Sequence, residues 1–471
     1  MRALLLSLLL TACSGEPTPI EDTNLIDDVS RLNATTAARI VHPKTEAEIV
    51  AALSEARSEG RRVSISGARH SQGAHAFGTD HVVIDMTGYS QILSIDAETR
   101  RIRLQAGARW DDIQNAVNDA ELAVLTMQSS NIFTVGGSIS ANIHGRDPQA
   151  SVIIDTILSM RLLQPDGSIT DLTPSDDLFP LVVGGYGLFG VILEAELQLT
   201  DNRVLAKEAR MMDYTEFPAF FEEHIRDSPV RLFIARPSIA SSTLLRETAV
   251  TTWSVTDEPL TDTLRPLGQE ENILRDRLLF GDSRRSSGGK ERRWALQKAV
   301  IARPGVKTLV TRNNAMRPPT TPLEFLNYDS DDDTDIVQEY YVPIRHFVAF
   351  ADAVRKIVEA QEVNLLGVTI RFVEGKNDAF LSYADEDCFS FMLYTNQRLD
   401  TEGRERAAKM TRDLVDAALA LDGRHYLAYQ RWPTPAQLRL AYPRIDEFFA
   451  LKKSHDPEGV FSSGFYRHYS P

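Results

Sequence analysis

The fold of this chain is decided by residues 66–75, which read Ser66-Gly67-Ala68-Arg69-His70-Ser71-Gln72-Gly73-Ala74-His75. A predicted helix and the short strand Arg62-Val63-Ser64-Ile65 lead into this loop. Its glycines and small residues allow a tight bend that presents bare backbone N–H groups. Backbone amides together with one cation, Arg69, suit a pyrophosphate. The imidazole of His70 suits a covalent bond to a flavin ring.

Two further glycine-bearing stretches follow along the chain. They are Thr134-Val135-Gly136-Gly137-Ser138-Ile139-Ser140-Ala141-Asn142-Ile143-His144-Gly145 and Gly184-Gly185-Tyr186-Gly187-Leu188-Phe189-Gly190-Val191-Ile192. Segments with the pattern of strands separate the three stretches, so residues 40–200 are predicted to form an α+β unit rich in strands. No Gly-x-Gly-x-x-Gly follows a first strand, which disfavours a dinucleotide-binding Rossmann fold.

The three stretches, in this order, resemble the FAD-binding domain of the vanillyl-alcohol-oxidase, or p-cresol-methylhydroxylase-type, flavoproteins. Within that family the loop is similar to those of the alditol oxidases and cytokinin dehydrogenases. Residues 134–146 and the C-terminus are similar to decaprenylphosphoryl-ribose oxidase. The resemblance implies that the chain binds FAD and that His70 is linked to the flavin 8α carbon; a non-covalent histidine near the phosphates is the alternative. The residues expected to bind the cofactor are Ser66, Gly67, Ala68, Arg69, His70, Ser71, Gln72, Gly136, Gly137, Ser138, Ser140, Asn142, His144, Gly145, Gly187, Gly190, Val191 and Ile192.

The second half of the chain has a different pattern. Residues 335–343, 368–373 and 388–394 predict strands, and residues 345–361 and about 401–419 predict helices. This order favours an α+β substrate domain, with an antiparallel sheet facing the flavin and helices behind it. Polar side chains on the flavin side of these strands are the catalytic candidates, and they are Gln338, Tyr340, Arg371 and Tyr394.

The segment around Tyr429 supplies one more catalytic candidate. In the related oxidases this segment brings a lysine to the flavin, whereas a neutral tyrosine offers only a hydrogen bond. Arg371 is the first choice for binding the substrate oxygen or stabilising reduced flavin, since its Thr-Ile-Arg motif resembles a Glu-x-Arg motif without the Glu. A tyrosine has a reference pKa of ~10, so Tyr429 or Tyr394 would need a nearby cation to act as a base. Cys388 matches a cysteine beside the substrate of decaprenylphosphoryl-ribose oxidase, or is a buried small hydrophobe.

Composition restricts the classes of function. The chain has 471 residues, the length of two or three domains, and a formal net charge of -15, which argues against nucleic acid or an anionic membrane surface as partner. Its two cysteines provide neither a disulfide framework nor a zinc site, and the acidic run of residues 331–335 lacks the spacing of a calcium loop. No metal site is therefore expected. Residues 281–293, rich in Ser, Gly and Arg, are interpreted as a mobile surface loop, with an active-site lid as the alternative.

The N-terminus carries a targeting signal. Arg2 precedes an apolar run that is too short to span a bilayer, which takes ~20 residues. The run ends in Leu10-Thr11-Ala12-Cys13, which resembles a bacterial lipobox and implies lipid attachment to Cys13 and a place in the cell envelope. An ordinary signal peptide, or an apolar start of no consequence, is the alternative. The predicted division is a signal peptide (1–12), a tether (13–32), an FAD-binding domain (33–200), a substrate-binding domain (201–435) and a segment packing back on the FAD domain (436–471).

The resemblance implies an FAD-dependent oxidoreductase. It would oxidise a CH–OH group of a sugar, polyol or related alcohol, with hydride passing to flavin N5. Three other interpretations stay open at this point. One is a membrane-tethered dehydrogenase that passes electrons to a quinone or another acceptor instead of oxygen. Another is a non-catalytic lipoprotein that binds flavin or sugar. A metallohydrolase is disfavoured because no His-x-x-x-His or Cys-x-x-Cys spacing occurs.

Overall fold

The computed structural model describes residues 24–269, 271–301, 307–317, 330–375 and 378–471. The predicted signal peptide and Cys13, the residue on which a lipid is predicted, lie outside the described residues. Within these ranges, no helix is long and apolar enough to cross a membrane. No group of three or more His, Cys, Asp or Glu side chains in the same ranges is arranged to hold a metal ion.

The first half of the chain builds three small sheets. The first is the two-stranded pair β1-β2, and the second is a parallel sheet of order β3-β5-β4. The third is an antiparallel sheet of order β10-β9-β11-β7-β6, in which β8 also pairs with β11. The strands are β1 (Leu25–Ile26), β2 (Thr35–Thr36), β3 (Arg39–Val41), β4 (Val63–Ser66), β5 (Val82–Asp85), β6 (Ile92–Asp96), β7 (Arg101–Gln105), β8 (Leu122–Val124), β9 (Ile157–Leu163), β10 (Ile169–Leu172) and β11 (Val191–Asp201). The helices are α1 (Glu46–Ser58), α2 (Trp110–Asn118), α3 (Val135–Ser140) and α4 (Phe179–Val182).

Helix α1 illustrates how the local sequence sets these elements. Thr45 caps the helix by accepting a hydrogen bond from the backbone N–H of Glu48, whose side chain returns to the Thr45 backbone in a capping box. The buried face of the helix comprises Ile49, Ala52, Leu53 and Ala56. The helix therefore leads the chain into β4 and places the loop that follows β4 at the edge of the parallel sheet.

The second half forms one antiparallel sheet of eight strands, in the order β15-β12-β14-β13-β17-β18-β16-β19. Its strands are β12 (Val204–Asp213), β13 (Val230–Pro237), β14 (Glu247–Val255), β15 (Thr308–Thr311), β16 (Asp333–Pro343), β17 (Asn364–Val373), β18 (Cys388–Arg398) and β19 (Arg424–His425). The helices are α5 (Phe217–His224), α6 (Ile273–Arg285), α7 (Ser287–Ile301), α8 (Arg312–Ala315), α9 (Phe347–Ala360), α10 (Thr401–Leu419), α11 (Pro435–Ala441), α12 (Ile445–His455) and α13 (Gly464–Tyr469).

Helices α5, α9 and α10 cover one face of the large sheet. Phe221, Phe350 and Leu414 from these helices pack with Ile370 and Phe391 from the sheet in one buried apolar cluster. The opposite face of the sheet is turned toward the first half of the chain. This arrangement confirms the predicted α+β architecture, with helices behind an antiparallel sheet.

Residues 281–293 correct one prediction. They are not a surface loop but the end of α6 and the first half of α7, a helical hairpin. Phe280 is buried and packs on Tyr394 with ring centroids 5.5 Å apart. The indole N–H of Trp294 donates to Glu247 at 2.8 Å. The hairpin is thus held by Phe280 and Trp294, which flank the run of Ser, Gly and Arg, and this is why that run did not reveal it.

The C-terminal residues return to the first half of the chain. Phe461 forms a parallel bridge with Val63, and the Ser462 N–H donates to the Val63 carbonyl at 2.9 Å. The Gly464 N–H donates to the carbonyl of Ala74 at 2.9 Å. Residues 461–464 therefore extend the parallel sheet beside β4 and fix the end of the loop at residues 66–75.

Candidate active site

A deep cavity lies between the three glycine stretches and the uncovered face of the large sheet. The first half contributes residues 65–72, parts of the second and third glycine stretches, and Phe133. The second half contributes Val337, Glu339, Arg371, Met392, Tyr426, Ala428 and Tyr429. The described halves of the chain thus meet at one cavity with a glycine-rich wall and a wall of ionisable side chains.

The loop at residues 66–72 forms one edge of the cavity. Arg69 lies in the left-handed region at φ +55° and turns the chain sharply. No carbonyl or side chain among the described residues accepts from the backbone N–H of Ala68 or Ser71. Gln72 fixes the end of the loop: its N–H donates to Ala428 at 2.8 Å, and its side-chain oxygen accepts from the Val337 N–H at 3.0 Å.

All seven predicted loop residues line this cavity, together with Gly136, Gly137, Ser140, His144, Gly187, Gly190 and Ile192. Gly187 has φ +73°, and an added Cβ there would lie 3.3 Å from the Ile65 side chain. Asn142 is buried beside this wall, and neither its amide nitrogen nor its amide oxygen has a partner among the described residues. The backbone N–H groups of the loop and the unsatisfied Asn142 side chain can hydrogen-bond to a nucleotide pyrophosphate, and the glycines leave room for a flat ring. We conclude that these residues suit FAD.

Besides Asn142, three of the predicted cofactor-binding residues do not line the cavity. Ser138 is fully buried, and its hydroxyl bonds with the indole N–H of Trp110 at 3.0 Å. The Gly145 N–H donates to the Ser151 carbonyl at 2.7 Å, and Val191 packs in the core at the start of β11. They lie on the back of the glycine stretches and support their shape, because alternate residues of a tight stretch point away from the cavity.

A buried histidine–carboxylate pair faces the cavity. The His144 Nε2 and a Glu339 carboxylate oxygen are 2.8 Å apart, and each side chain is 3% exposed. Burial tends to raise the pKa of Glu339, but the charge and hydrogen bond of His144 and the charge of Arg371 outweigh it, and the pKa is lowered. Glu339 is therefore an ionised carboxylate at neutral pH.

Aromatic rings enclose this pair. The ring of Tyr341 lies edge-on to His144 at 5.6 Å and stacks on Tyr383 at 4.4 Å. The Tyr426 hydroxyl donates to the Ala141 carbonyl at 2.6 Å, which ties this group of rings to the second glycine stretch. The rings exclude water on the protein side of the pair, so that the carboxylate is reached from the cavity.

Arg371 and Tyr429 line the cavity, in the positions where the sequence placed them. The Arg371 Nη2 donates to the Ser129 hydroxyl at 2.7 Å, while its Nε has no partner among the described residues. The Tyr429 hydroxyl lies 3.5 Å from a Glu339 carboxylate oxygen. Burial, and then the Glu339 carboxylate, raise the pKa of Tyr429 well above 10. Tyr429 therefore keeps its proton and is a hydrogen-bond donor, which makes it unsuited to act as a base.

Gln338 and Tyr394, also predicted as catalytic, do not line the cavity. Gln338 points to the helix-covered face, where its amide donates to Thr411 at 2.8 Å and accepts from Tyr340. Tyr340 is on that same face. Tyr394 faces the cavity side of the sheet, but its hydroxyl donates to Asp335 at 2.8 Å beneath α6. Both predictions chose the correct strands, yet the polar ends of these side chains are engaged elsewhere.

Glu339 is the residue that the sequence analysis passed over. The strand β16 is buried on both faces almost throughout, so no alternation of polar and apolar residues marks which face carries function. A buried carboxylate in that strand was the available signal, because an unpaired charge there would be costly. Ser129, the partner of Arg371, carried no signal in the sequence.

The remaining candidates take these positions. His70 lines the cavity edge-on to Phe133 at 4.7 Å, and burial together with the positive charge of Arg109 lowers its pKa to about 4. His75 also lines the cavity and stacks on Phe465 at 4.8 Å. Cys388 is buried outside the cavity lining, and burial raises its pKa to about 12. A neutral His70 imidazole has a lone pair available for bonding to carbon, whereas the Cys388 thiol is inert.

Two family models match this chain, one over part of each half. The family described as "FAD binding domain" matches residues 37–173, and the family described as "D-arabinono-1,4-lactone oxidase" matches residues 333–469. Decaprenylphosphoryl-beta-D-ribose oxidase of Mycolicibacterium smegmatis is 27% identical over 461 residues, covering 92% of this chain and 95% of that protein. L-gulono-1,4-lactone dehydrogenase of Mycobacterium tuberculosis is 24% identical over 434 residues, covering 91% and 95%. L-gulonolactone oxidase of Mus musculus is 24% identical over 197 residues, covering 41% and 44%.

Proposed function

Given that the chain is an FAD-dependent oxidoreductase of the vanillyl-alcohol-oxidase, or p-cresol-methylhydroxylase, type, we propose that Glu339 takes the hydroxyl proton of the substrate. The enzyme oxidises a CH–OH group of a sugar-like alcohol. FAD, when bound, supplies the hydride acceptor. The observation that carries the proposal is the buried, ionised carboxylate of Glu339 facing the cavity beside His144.

Three residues around Glu339 have separate roles in this reaction. His144 orients the carboxylate through their hydrogen bond, so that the proton reaches a fixed oxygen. Tyr429 donates a hydrogen bond to the substrate oxygen, since its raised pKa keeps it protonated. The Arg371 guanidinium, held by Ser129, stabilises negative charge that develops on the substrate or at the ring. Its unpartnered Nε is the donor available for that task.

The test is a screen of alcohols against the purified, FAD-loaded protein. Sugars, alditols and aldonolactones are mixed with it without oxygen, and the flavin absorbance is followed. Bleaching by at least one of them is the expected result; flavin that none bleaches would favour a non-catalytic binding protein. Reoxidation in air, compared with reoxidation by a soluble quinone, then separates an oxidase from a dehydrogenase.

We propose further that His70 bonds covalently to the flavin 8α carbon. Two observations support this: His70 lines the cavity, and its lowered pKa leaves the imidazole neutral at pH 7. A bond of this kind prevents cofactor loss and withdraws electrons from the ring, which eases hydride acceptance. After acid denaturation, flavin should stay with the peptide that carries His70. Flavin released into solution would restrict His70 to a non-covalent contact.

We also propose that the chain is a lipoprotein of the cell envelope, cleaved before Cys13 and lipid-modified on that thiol. The Leu-Thr-Ala-Cys sequence supports this proposal. Mass analysis of the mature N-terminus tests it, with Cys13→Ser as the control variant. A mature protein that starts elsewhere and partitions into the soluble fraction would refute it.

A further inference from the structure

Exposed apolar side chains are concentrated on one part of the protein surface. Among the described residues eleven large apolar side chains are exposed, and five of them belong to the helical hairpin of α6 and α7. These five are Ile273, Leu274, Leu278, Leu296 and Val300. Leu274 is 72% exposed and Leu278 is 63% exposed. Exposed apolar side chains that cluster, instead of being scattered singly, indicate an interaction site.

Helical spacing places these side chains on the outer side of the hairpin. The side chains that α6 buries are Phe280, Ser283 and Arg284. Leu274 and Leu278 are four residues apart and share the other side of this helix. On α7, Leu296 and Val300 have the same spacing, whereas Trp294 is buried against the sheet. We refer to Leu274, Leu278, Leu296 and Val300 as the outer face of the hairpin.

The two helices of the hairpin are fastened to each other. Arg292 forms an ion pair with Asp282, and the Arg293 Nη1 donates to the Ser283 hydroxyl at 3.1 Å. An added Cβ on Gly289 would lie 2.2 Å from the Asp282 carbonyl oxygen, so the backbones touch at this glycine. The outer side chains of both helices therefore belong to one part of the surface.

The hairpin also differs from the rest of the chain in charge. Residues 273–301 contain eight Lys or Arg and three Asp or Glu, which leaves +5, whereas the whole chain carries -15. Arg285, at the turn, and Arg292, on the same side of α7 as Leu296, are both exposed. Exposed leucines flanked by arginines are typical of helices that lie in the surface of an anionic bilayer. A twofold dimer through this face would set +5 against +5, which disfavours a second copy of the chain as the partner.

The N-terminal segment enters the fold beside the hairpin. The Thr334 hydroxyl donates to the Ser30 carbonyl at 2.8 Å, and the next residue, Asp335, pairs with Arg284 at the end of α6. Cys13 lies eleven residues before the first described residue, and eleven residues span at most about 36–40 Å. A lipid on Cys13 would therefore keep this side of the protein close to the bilayer.

We propose that the outer face of the hairpin docks on an anionic phospholipid bilayer, with its leucines among the acyl chains and the neighbouring arginines at the headgroups. This inference rests on the proposed lipid anchor only for the side from which the bilayer approaches. On the inner side of α6, Phe280 belongs to one apolar cluster with Val337, which lines the cavity. Docking would therefore leave one helix, ~10 Å across, between the bilayer and the cavity.

The experiment uses the FAD-loaded chain that begins at Ser14, which keeps every described residue and carries no lipid. Sedimentation compares its binding to vesicles of phosphatidylglycerol and phosphatidylcholine with its binding to vesicles of phosphatidylcholine alone. We expect binding to the anionic vesicles only, and weaker binding at high salt because the headgroup attraction is screened. Replacing both leucines of α6, Leu274→Gln with Leu278→Gln, should weaken binding roughly 10- to 100-fold. Arg285→Gln should weaken it about fivefold.

Leu440→Gln is the matched control, because Leu440 is 70% exposed on a different helix, α11. It should bind the anionic vesicles as tightly as the native sequence. None of the substituted residues lines the cavity, so flavin bleaching by the best alcohol should be unchanged in every variant and reports that the variants are folded.

Three results would overturn the docking surface. They are equal binding to neutral and anionic vesicles, equal losses in Leu440→Gln and the double leucine variant, and self-association of the chain that disappears in the double variant, since a second copy would then cover the face. The lipid anchor is tested separately by the mass of the mature N-terminus. Hairpin-dependent binding of the lipid-free chain would therefore stand even if Cys13 proved to be unmodified.

Discussion

Replacing Glu339 with Gln removes the proposed proton acceptor and keeps the shape of the side chain. The amide oxygen still accepts from His144, so the pair at 2.8 Å keeps one hydrogen bond and the protein should fold and bind FAD. A positioned base contributes typically 10²- to 10⁴-fold to a rate. At 1.36 kcal/mol per tenfold, this is about 3–5 kcal/mol of transition-state stabilisation.

The assay is flavin bleaching by the best alcohol under single-turnover conditions, followed against pH. In the native enzyme the rate should hold above the lowered pKa of Glu339 and fall as the pH drops through it, below the ordinary value of 4.5. Glu339→Gln should be slower by two to four orders of magnitude and should lack this acid limb. An unchanged rate, or an unchanged acid limb in the variant, would refute Glu339 as the base.

Gln338→Leu is the control for that experiment, since Gln338 is the next residue and points to the opposite face. It leaves the buried Tyr340 hydroxyl without its acceptor and removes the amide that donates to Thr411. We expect a loss of about 1–3 kcal/mol in the free energy of unfolding and a normal rate of flavin bleaching. A large loss of rate with normal stability would return Gln338 to the site.

Three other predictions concern the cofactor wall, the helical hairpin and the free thiol. Gly187→Ala, at φ +73°, should lower the free energy of unfolding by about 1–2 kcal/mol and weaken FAD binding in a fluorescence titration. The control is Gly167→Ala, at φ +90° with no neighbour within 4 Å, which should leave FAD affinity unchanged. Equal FAD affinities of the two variants would argue against Gly187 as part of the cofactor site. Arg284→Met removes the cation that pairs with the buried Asp335 carboxylate and should lower the free energy of unfolding by about 3–5 kcal/mol. Arg398→Met, which breaks an exposed ion pair, should lower it by less than about 1 kcal/mol. Similar denaturant midpoints for the two variants would contradict this prediction. Burial raises the pKa of Cys388 to about 12, so that its side chain carries almost no thiolate at pH 8. Iodoacetamide should therefore label the Cys388 peptide slowly in the folded protein and rapidly after unfolding. Fast labelling of the folded protein would contradict the burial of this thiol.

The sequence was most informative where backbone shape sets function. Three glycine stretches, at 66–75, 134–145 and 184–192, specify tight turns because glycine adopts backbone conformations that other residues rarely adopt. Most of the cofactor-binding residues predicted in these stretches line the cavity. The sequence was least informative where a strand is buried on both faces. In β16 a one-residue difference separates Gln338, on the helix side, from Glu339, on the cavity side. Only the pairing of β16 with β18 decides between them.

The hairpin of α6 and α7 was missed for another reason. Its glycines disfavour a helix, and its stability comes from tertiary contacts of Phe280, Arg284 and Trp294 with strands that are distant in the chain.

The bridge between Phe461 and Val63 has a consequence for biosynthesis. The loop that begins the cofactor site is made long before residues 461–464, which pair beside its strand and hold its far end. The nucleotide-binding half therefore cannot complete its sheet until the ribosome has delivered the chain through Gly464. A chain cut short of residue 461 should leave the edge beside β4 unpaired.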